Sequence, residues 1–188
     1  MEPTSVWDAT LESFCDDLGG TEPAPAAVTA SCAVAEMGVS LLLKVLRITG
    51  RRKNFTGDKA RLNALIEAAR GESRELRATA DADVAAVRAF IGSRDPAAAR
   101  QAIEVPMRGA RAVKRSADLF ASATDLIQGL PAADLGSGAI FLSAAIRAIL
   151  LSVEFNLRLL KPEESYASSI RLESRALVDH VLQIAAQW

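Results

Sequence analysis

A small set of side chains able to move protons or hold charge stands out by position along this chain. Glu36 falls in the middle of a long apolar run, and Arg51-Arg52-Lys53 close that run. Asp83 follows Asp81 by two positions, and Asp134 follows a stretch broken at Gly129-Leu130-Pro131. A carboxylate can take or give a proton or stabilise a cation, and guanidinium and ammonium groups pair with carboxylates. Read as residues alone, most of these have a structural role to fill. Asp134 stands where a helix cap would stand, Asp83 reads as a solvated charge on a surface turn, and Arg52 and Lys53 complement the negative end of a helix. Glu36 is the exception, since a buried carboxylate needs a partner or a raised pKa; Arg147 or Arg47 is the expected partner. Asn156, in another apolar segment, must find hydrogen-bond partners, and an inter-helix contact is expected before a ligand contact.

Other chemistries find little support. There is one histidine, His180, expected at the surface or an interface, so a histidine-based metal site is not expected. Cys15 and Cys32 lie in separate helical segments without metal-ligand spacing and read as two reduced buried thiols of a cytoplasmic protein. The formal net charge is -1, with 22 basic against 23 acidic side chains, which excludes the basic surplus of a nucleic-acid binder. The N-terminus carries Glu2, Asp8 and Glu12 and does not read as a signal peptide. Ala26 to Leu43 is long enough to suggest a membrane span, but Glu36 at its middle and Lys44 after it argue for a buried helix of a soluble bundle.

The elements that position these residues are helical. Half the residues are hydrophobic yet only 5% are aromatic, so the core must be built from Ala, Leu, Val and Ile, which favours packed helices. At 188 residues the chain is one domain, spanning 1–188. A first helix is expected over Val6–Leu18, stopped by Gly19-Gly20, and a second from near Pro25 to near Gly50. A turn at Asn54 to Asp58 leads to a helix from Lys59 to about Gly92. Asp95-Pro96 then opens another in the N-cap and N1 arrangement, and Pro106 inside it removes a donor and should kink it. Leu135 to Leu160 is apolar nearly all round and reads as a central helix, and Pro162-Glu163-Glu164 restarts the chain into a last amphipathic one. The expected fold is an all-α, single-domain bundle of long antiparallel helices, one kinked at a proline.

Six segments in order resemble the cyclodeaminase/cyclohydrolase family, from about Phe14 to about Leu160. Pro23-Ala24-Pro25-Ala26-Ala27-Val28-Thr29 stands for its Pro-Thr-Pro-Gly-Gly-Gly-Ser, and Ile48-Thr49-Gly50-Arg51-Arg52-Lys53-Asn54-Phe55 for its Leu-Thr-x-Gly-Lys-Lys-x-Tyr. Asp83-Val84-Ala85-Ala86-Val87 resembles a motif in which an Asp precedes an aromatic by four, and Val105-Pro106 its Val-Pro. Ala133-Asp134-Leu135-Gly136 resembles Ser-Asp-Leu-Gly, and Ser152-Val153-Glu154-Phe155-Asn156-Leu157 resembles Asn-Val-x-Ile-Asn-Leu. The family includes the cyclodeaminase domain of formiminotransferase-cyclodeaminase and bacterial methenyltetrahydrofolate cyclohydrolases.

The resemblance implies a C–N bond hydrolase or lyase acting on a tetrahydrofolate derivative as substrate or carrier, without metal. The reading it favours is a cyclohydrolase, adding water to the N5,N10 methenyl bridge, because no formiminotransferase domain is attached. It assigns acid/base work to Asp134 and Asp83. Substrate binding falls to Pro25, Ala26, Ala27, Arg51, Arg52, Lys53 and Asn156, with the basic residues on the folate's glutamate tail. The departures cluster in the motifs: Ala26-Ala27-Val28 replaces three glycines, and Arg51, Ser152 and Phe55 replace Gly, Asn and Tyr. A helix that starts earlier and a reshaped binding loop are expected from the first. Two other readings follow from that: a family member repurposed for one-carbon transfer or cyclisation on another small molecule, and a non-catalytic helical binding or assembly protein. Partners are expected to be a small-molecule substrate, neither nucleic acid nor membrane, and a second copy. Helices this apolar leave faces one layer cannot cover, and the resemblance implies dimers with the site near the subunit boundary.

Overall fold

The computed structural model describes residues 5–93, 95–127 and 131–188. Among them are six α-helices and no strand: α1 (Leu11–Leu18), α2 (Ala27–Arg51), α3 (Lys59–Ser93), α4 (Pro96–Ala123), α5 (Pro131–Leu160) and α6 (Glu164–Ala185). The pattern break at Gly129-Leu130 lies outside the described residues.

The helix starts show where local chemistry decides. The expected first helix is divided: Val6–Asp8 form a single 3-10 turn, and α1 begins only after Thr10, whose side chain accepts from the Ser13 N–H. That cap makes Thr10 a boundary that apolar spacing alone passes over. Asp95 caps α4 as expected, its Oδ1 accepting from Ala98 N at 2.7 Å with Pro96 in the first turn. Pro25 lies outside α2, and Ala26 is the N-cap with no side-chain cap of its own. Asp134 is not a cap, because α5 begins three residues earlier at Pro131 and places it in the first turn.

Cross-helix contacts fix the register. Thr29 meets Asp83 and Glu36 meets Arg77, so α2 and α3 run antiparallel. Glu72 with Arg115 sets α3 against α4 in the same sense, and Lys44 with Asp134 does so for α2 and α5. Helix α6 lies parallel to α4, and the pairs Tyr166–Glu104, Glu173–Arg111 and His180–Asp118 each span 62 residues. His180 is thus half-buried and paired, Nε2 lying 2.6 Å from Asp118 Oδ1.

Helices α2 and α5 cross at Gly38 and Gly138. A Cβ on Gly138 would come within 2.9 Å of the Gly38 carbonyl and 2.7 Å of the Phe120 ring, and one on Gly38 within 2.9 Å of the Gly138 carbonyl. The two backbones touch, and only hydrogen side chains allow it. Both helices are long and apolar enough to cross a membrane by length and composition, but the most apolar window of α2 is 67% buried within the bundle. The same window of α5 is 39% buried, and Ile140, Phe141, Leu151, Phe155 and Leu159 are exposed along it.

Glu36 is buried as expected, but its partner is neither Arg147 nor Arg47. Its Oε1 accepts from Ser73 Oγ at 2.9 Å and Arg77 Nη2 at 2.9 Å, both on α3. The register decides this: residue 36 of α2 faces residues 73–77, a pairing that depends on which helix neighbours which. Cys15 is exposed rather than buried, because no residue of α1 is buried.

Pro106 has a partner in α5. A proline cannot donate to the carbonyl four residues back, so Ala102 loses its intrahelical bond. Asn156 Nδ2 donates to Ala102 O at 2.7 Å and fills the vacancy. The Val-Pro and Asn-Leu segments, separate in sequence, form one inter-helix device.

Candidate functional site

The N-terminus of α2 is built by a residue that is not on it. Three alanines flank the start, Ala24, Ala26 and Ala27, so no local side chain caps the helix. Asp83 reaches across from α3 instead, and its Oδ2 accepts from Thr29 N at 3.1 Å and Thr29 Oγ1 at 2.7 Å. Asp83 is therefore buried, 4% exposed, and not a solvated surface charge. The signal was present: Leu62, Leu65, Ala69, Leu76 and Ala80 mark the buried stripe of α3, and Asp83 continues it at helical spacing. Burial pushes the carboxyl above its usual pKa, and the two Thr29 hydrogen bonds only partly restrain the rise. Neighbouring Cys32 is pushed up to about 12, mainly by burial and then by the charge of Asp83, and stays a thiol.

Beside this cap lies a cavity of about 330 Å³. Ala24 and Pro25, joined by a cis peptide, form one wall and Asp81, Val84 and Arg88 of α3 another. Asp16, Asp17 and Glu22 make the rim acidic. Ser5 Oγ and Val6 N donate to Asp81 at 2.8 and 3.0 Å, while Trp7 Nε1 donates to the Arg77 carbonyl and its ring lies under the Arg77 guanidinium, 5.1 Å from centroid to carbon. The N-terminal segment is thereby fixed as the third wall. Three of its four acidic residues, Asp16, Asp17 and Glu22, escaped the sequence reading because they lie in the loop and short helix before α2.

Ala26, Ala27 and Val28, where the resemblance expects glycines, take ordinary geometry. Ala26 is extended at φ -139, and Ala27 and Val28 are the first residues of α2. The only non-glycine with positive φ among the described residues is Lys161. No non-glycine residue of this loop takes the left-handed conformation.

The other expected site residues lie elsewhere. Arg51 is in the last turn of α2, Arg52 caps it, and Lys53 follows in an exposed turn. Ala27 and Arg51 are separated by a 25-residue helix, about 36 Å at 1.5 Å per residue. Asp134 pairs with Lys44, Nζ to Oδ2 2.6 Å, while Asp83 holds Thr29. Positions 29 and 44 are about 22 Å apart along α2, so one chain does not bring the two carboxylates to one substrate. Asn156 is tied to Ala102 in α4. Among the described residues no three His, Cys, Asp or Glu side chains converge as a metal site would require.

This arrangement can be set against known proteins. The family model of formiminotransferase-cyclodeaminase matches residues 10–176. The chain belongs to that family. Its fold is also that of a solved relative: the crystal structure of formiminotetrahydrofolate cyclodeaminase from Thermotoga maritima superposes with a TM-score of 0.88 over 97% of this chain and 96% of the other, at 20% identity. No curated protein sequence matches the chain. The family's cyclodeaminase fold is thus kept over nearly the whole chain.

Proposed function

We propose that the chain is a tetrahydrofolate-linked one-carbon enzyme of the cyclohydrolase kind, adding water to a cationic N5,N10 methenyl bridge at the N-terminus of α2. The observation that carries the reading is Asp83. One oxygen is anchored to Thr29, the carboxyl is buried with its pKa raised, and its neighbour Val84 lines the cavity at Pro25. A buried carboxyl whose pKa is raised by desolvation is suited to general acid/base work.

In this reading water oxygen bonds to the methenyl carbon while Asp83 takes a water proton. Collapse of the tetrahedral carbon breaks its bond to N5, and Asp83 returns the proton to that nitrogen. The remaining hydroxyl proton is released, leaving the 10-formyl form. The acidic rim of Asp16, Asp17 and Glu22 favours the cation before attack.

The site is completed by a second copy. The basic end of α2 and Asp134 lie too far from Asp83 in one chain, and α5 leaves an apolar face uncovered. Two copies packed antiparallel over the α2/α5 face would set the N-terminal half of one beside the C-terminal half of the other. Arg51, Arg52 and Lys53 of the second copy would then meet the glutamate tail. The protein would work in the cytoplasm.

One observation favours a second reading. Side chains at Ala26, Ala27 and Val28 occupy the place where glycines would admit a ligand close to the backbone. A repurposed enzyme would keep Asp83 and the cavity and accept a different small cation. Hydrolysis of methenyltetrahydrofolate by the purified chain decides between them. A rate above the buffer blank is expected; a rate equal to the blank, with no folate binding, would leave only the second reading.

A further inference from the structure

The opposite flank of α3 carries a second cavity, larger than the first at about 550 Å³, between the end of α3, the start of α4 and the α5–α6 turn. Its walls are apolar: Phe90, Pro96, Ile103, Leu159, Leu160 and Pro162. The sharp turn at Lys161, with φ 44, folds Pro162 over it. Among the described residues one cation, Arg100, faces this apolar space. The Arg100 guanidinium carbon lies over the Tyr166 ring, 4.7 Å from its centroid.

That cation is held in place but not neutralised. Tyr166 is fixed by donating its hydroxyl to Glu104 Oε1 at 2.6 Å, and the phenol is pushed up to about 12 by burial and by Glu104, so it stays a donor. Glu104 is engaged by Tyr166 and by Arg111, 3.8 Å away. Arg100 makes no ion pair among the described residues, and its edge remains open for a planar anion. A guanidinium held over a ring can present its donors as a fork to a carboxylate, and burying an apolar body beside it is favourable. Among the described lining residues Arg100 is the one cation and Glu163 the one carboxylate, so no second positive charge is there for a phosphate or a polycarboxylate.

We infer that this cavity binds a small apolar monocarboxylate, its carboxylate on Arg100 and its hydrocarbon or aromatic body against Phe90, Ile103 and Leu160. The inference does not depend on the folate reading, because it shares no lining residue with the cavity at Pro25.

The test uses 1-naphthylacetate and its neutral counterpart 1-naphthylacetamide as probes on the intact chain, with amide chemical shifts recorded by NMR. Shifts should map to Phe90, Ile103 and Tyr166, and the acid should bind about tenfold more tightly than the amide. Arg100→Gln should erase that difference, with the folded spectrum unchanged at this exposed position. Equal affinity for acid and amide in the unaltered chain, shifts that map elsewhere, or unchanged acid binding in Arg100→Gln would each overturn the proposal.

Discussion

Replacing Asp83 by alanine should destabilise the fold by about 2–4 kcal/mol, because it strips the N-terminus of α2 of its only side-chain cap and leaves the buried Thr29 donors unpaired. Asp83→Asn should stay within about 1 kcal/mol of the unaltered chain, since an amide oxygen can accept both Thr29 bonds and a neutral group suits the burial. The pH dependence separates the two states of the wild-type residue. A carboxyl whose pKa is raised in the folded chain contributes most stability below its unfolded value of 3.8, and loses it as pH rises through the raised folded value. Asp83→Asn should remove that slope, as read by denaturant unfolding at a series of pH values. Its activity should nevertheless fall at least about 100-fold if Asp83 carries the proton. An asparagine variant that folds and hydrolyses at the wild-type rate would reduce Asp83 to a cap.

Asn156→Ala should cost about 1–3 kcal/mol in the unaltered chain, because the Ala102 carbonyl would lose its donor inside the bundle. The same substitution in a Pro106→Ala background should cost much less. Alanine at 106 restores the backbone N–H that Ala102 lacks, so the two sites should be coupled by about 1–2 kcal/mol in a double-mutant cycle. Additive losses would mean that Asn156 acts through something other than that carbonyl.

These two cases show how far the sequence reaches. The helical pattern of α2 to α6, the Asp95-Pro96 start and the burial of Glu36 follow from periodicity and composition, because each depends on neighbours along one helix. Pro106 by itself implies an orphaned carbonyl at Ala102, but naming Asn156 as its donor requires the register of α4 against α5. Glu36 fails in the same way: the need for a cation was legible, whereas Arg77 is chosen by the α2–α3 alignment. Asp83 was misplaced for a different reason. Its charge outweighed its position, although the apolar stripe of α3 runs straight through it. The separation of Asp83 from Asp134 could not be read at all until both were measured along α2, and it is what makes a second copy necessary to the proposed site.

The shared site is tested most directly by subunit mixing. Asp83→Asn removes the proton carrier from the N-terminal half, and Arg51→Ala with Lys53→Ala removes exposed cations from the other half. Each variant alone should be nearly inactive and dimeric. Co-expressed, random pairing would give mixed dimers in which one of the two sites is intact, restoring about a quarter of wild-type activity. Activity no greater than that of the two parents, or a chain that is monomeric by light scattering, would contradict a site built from two copies.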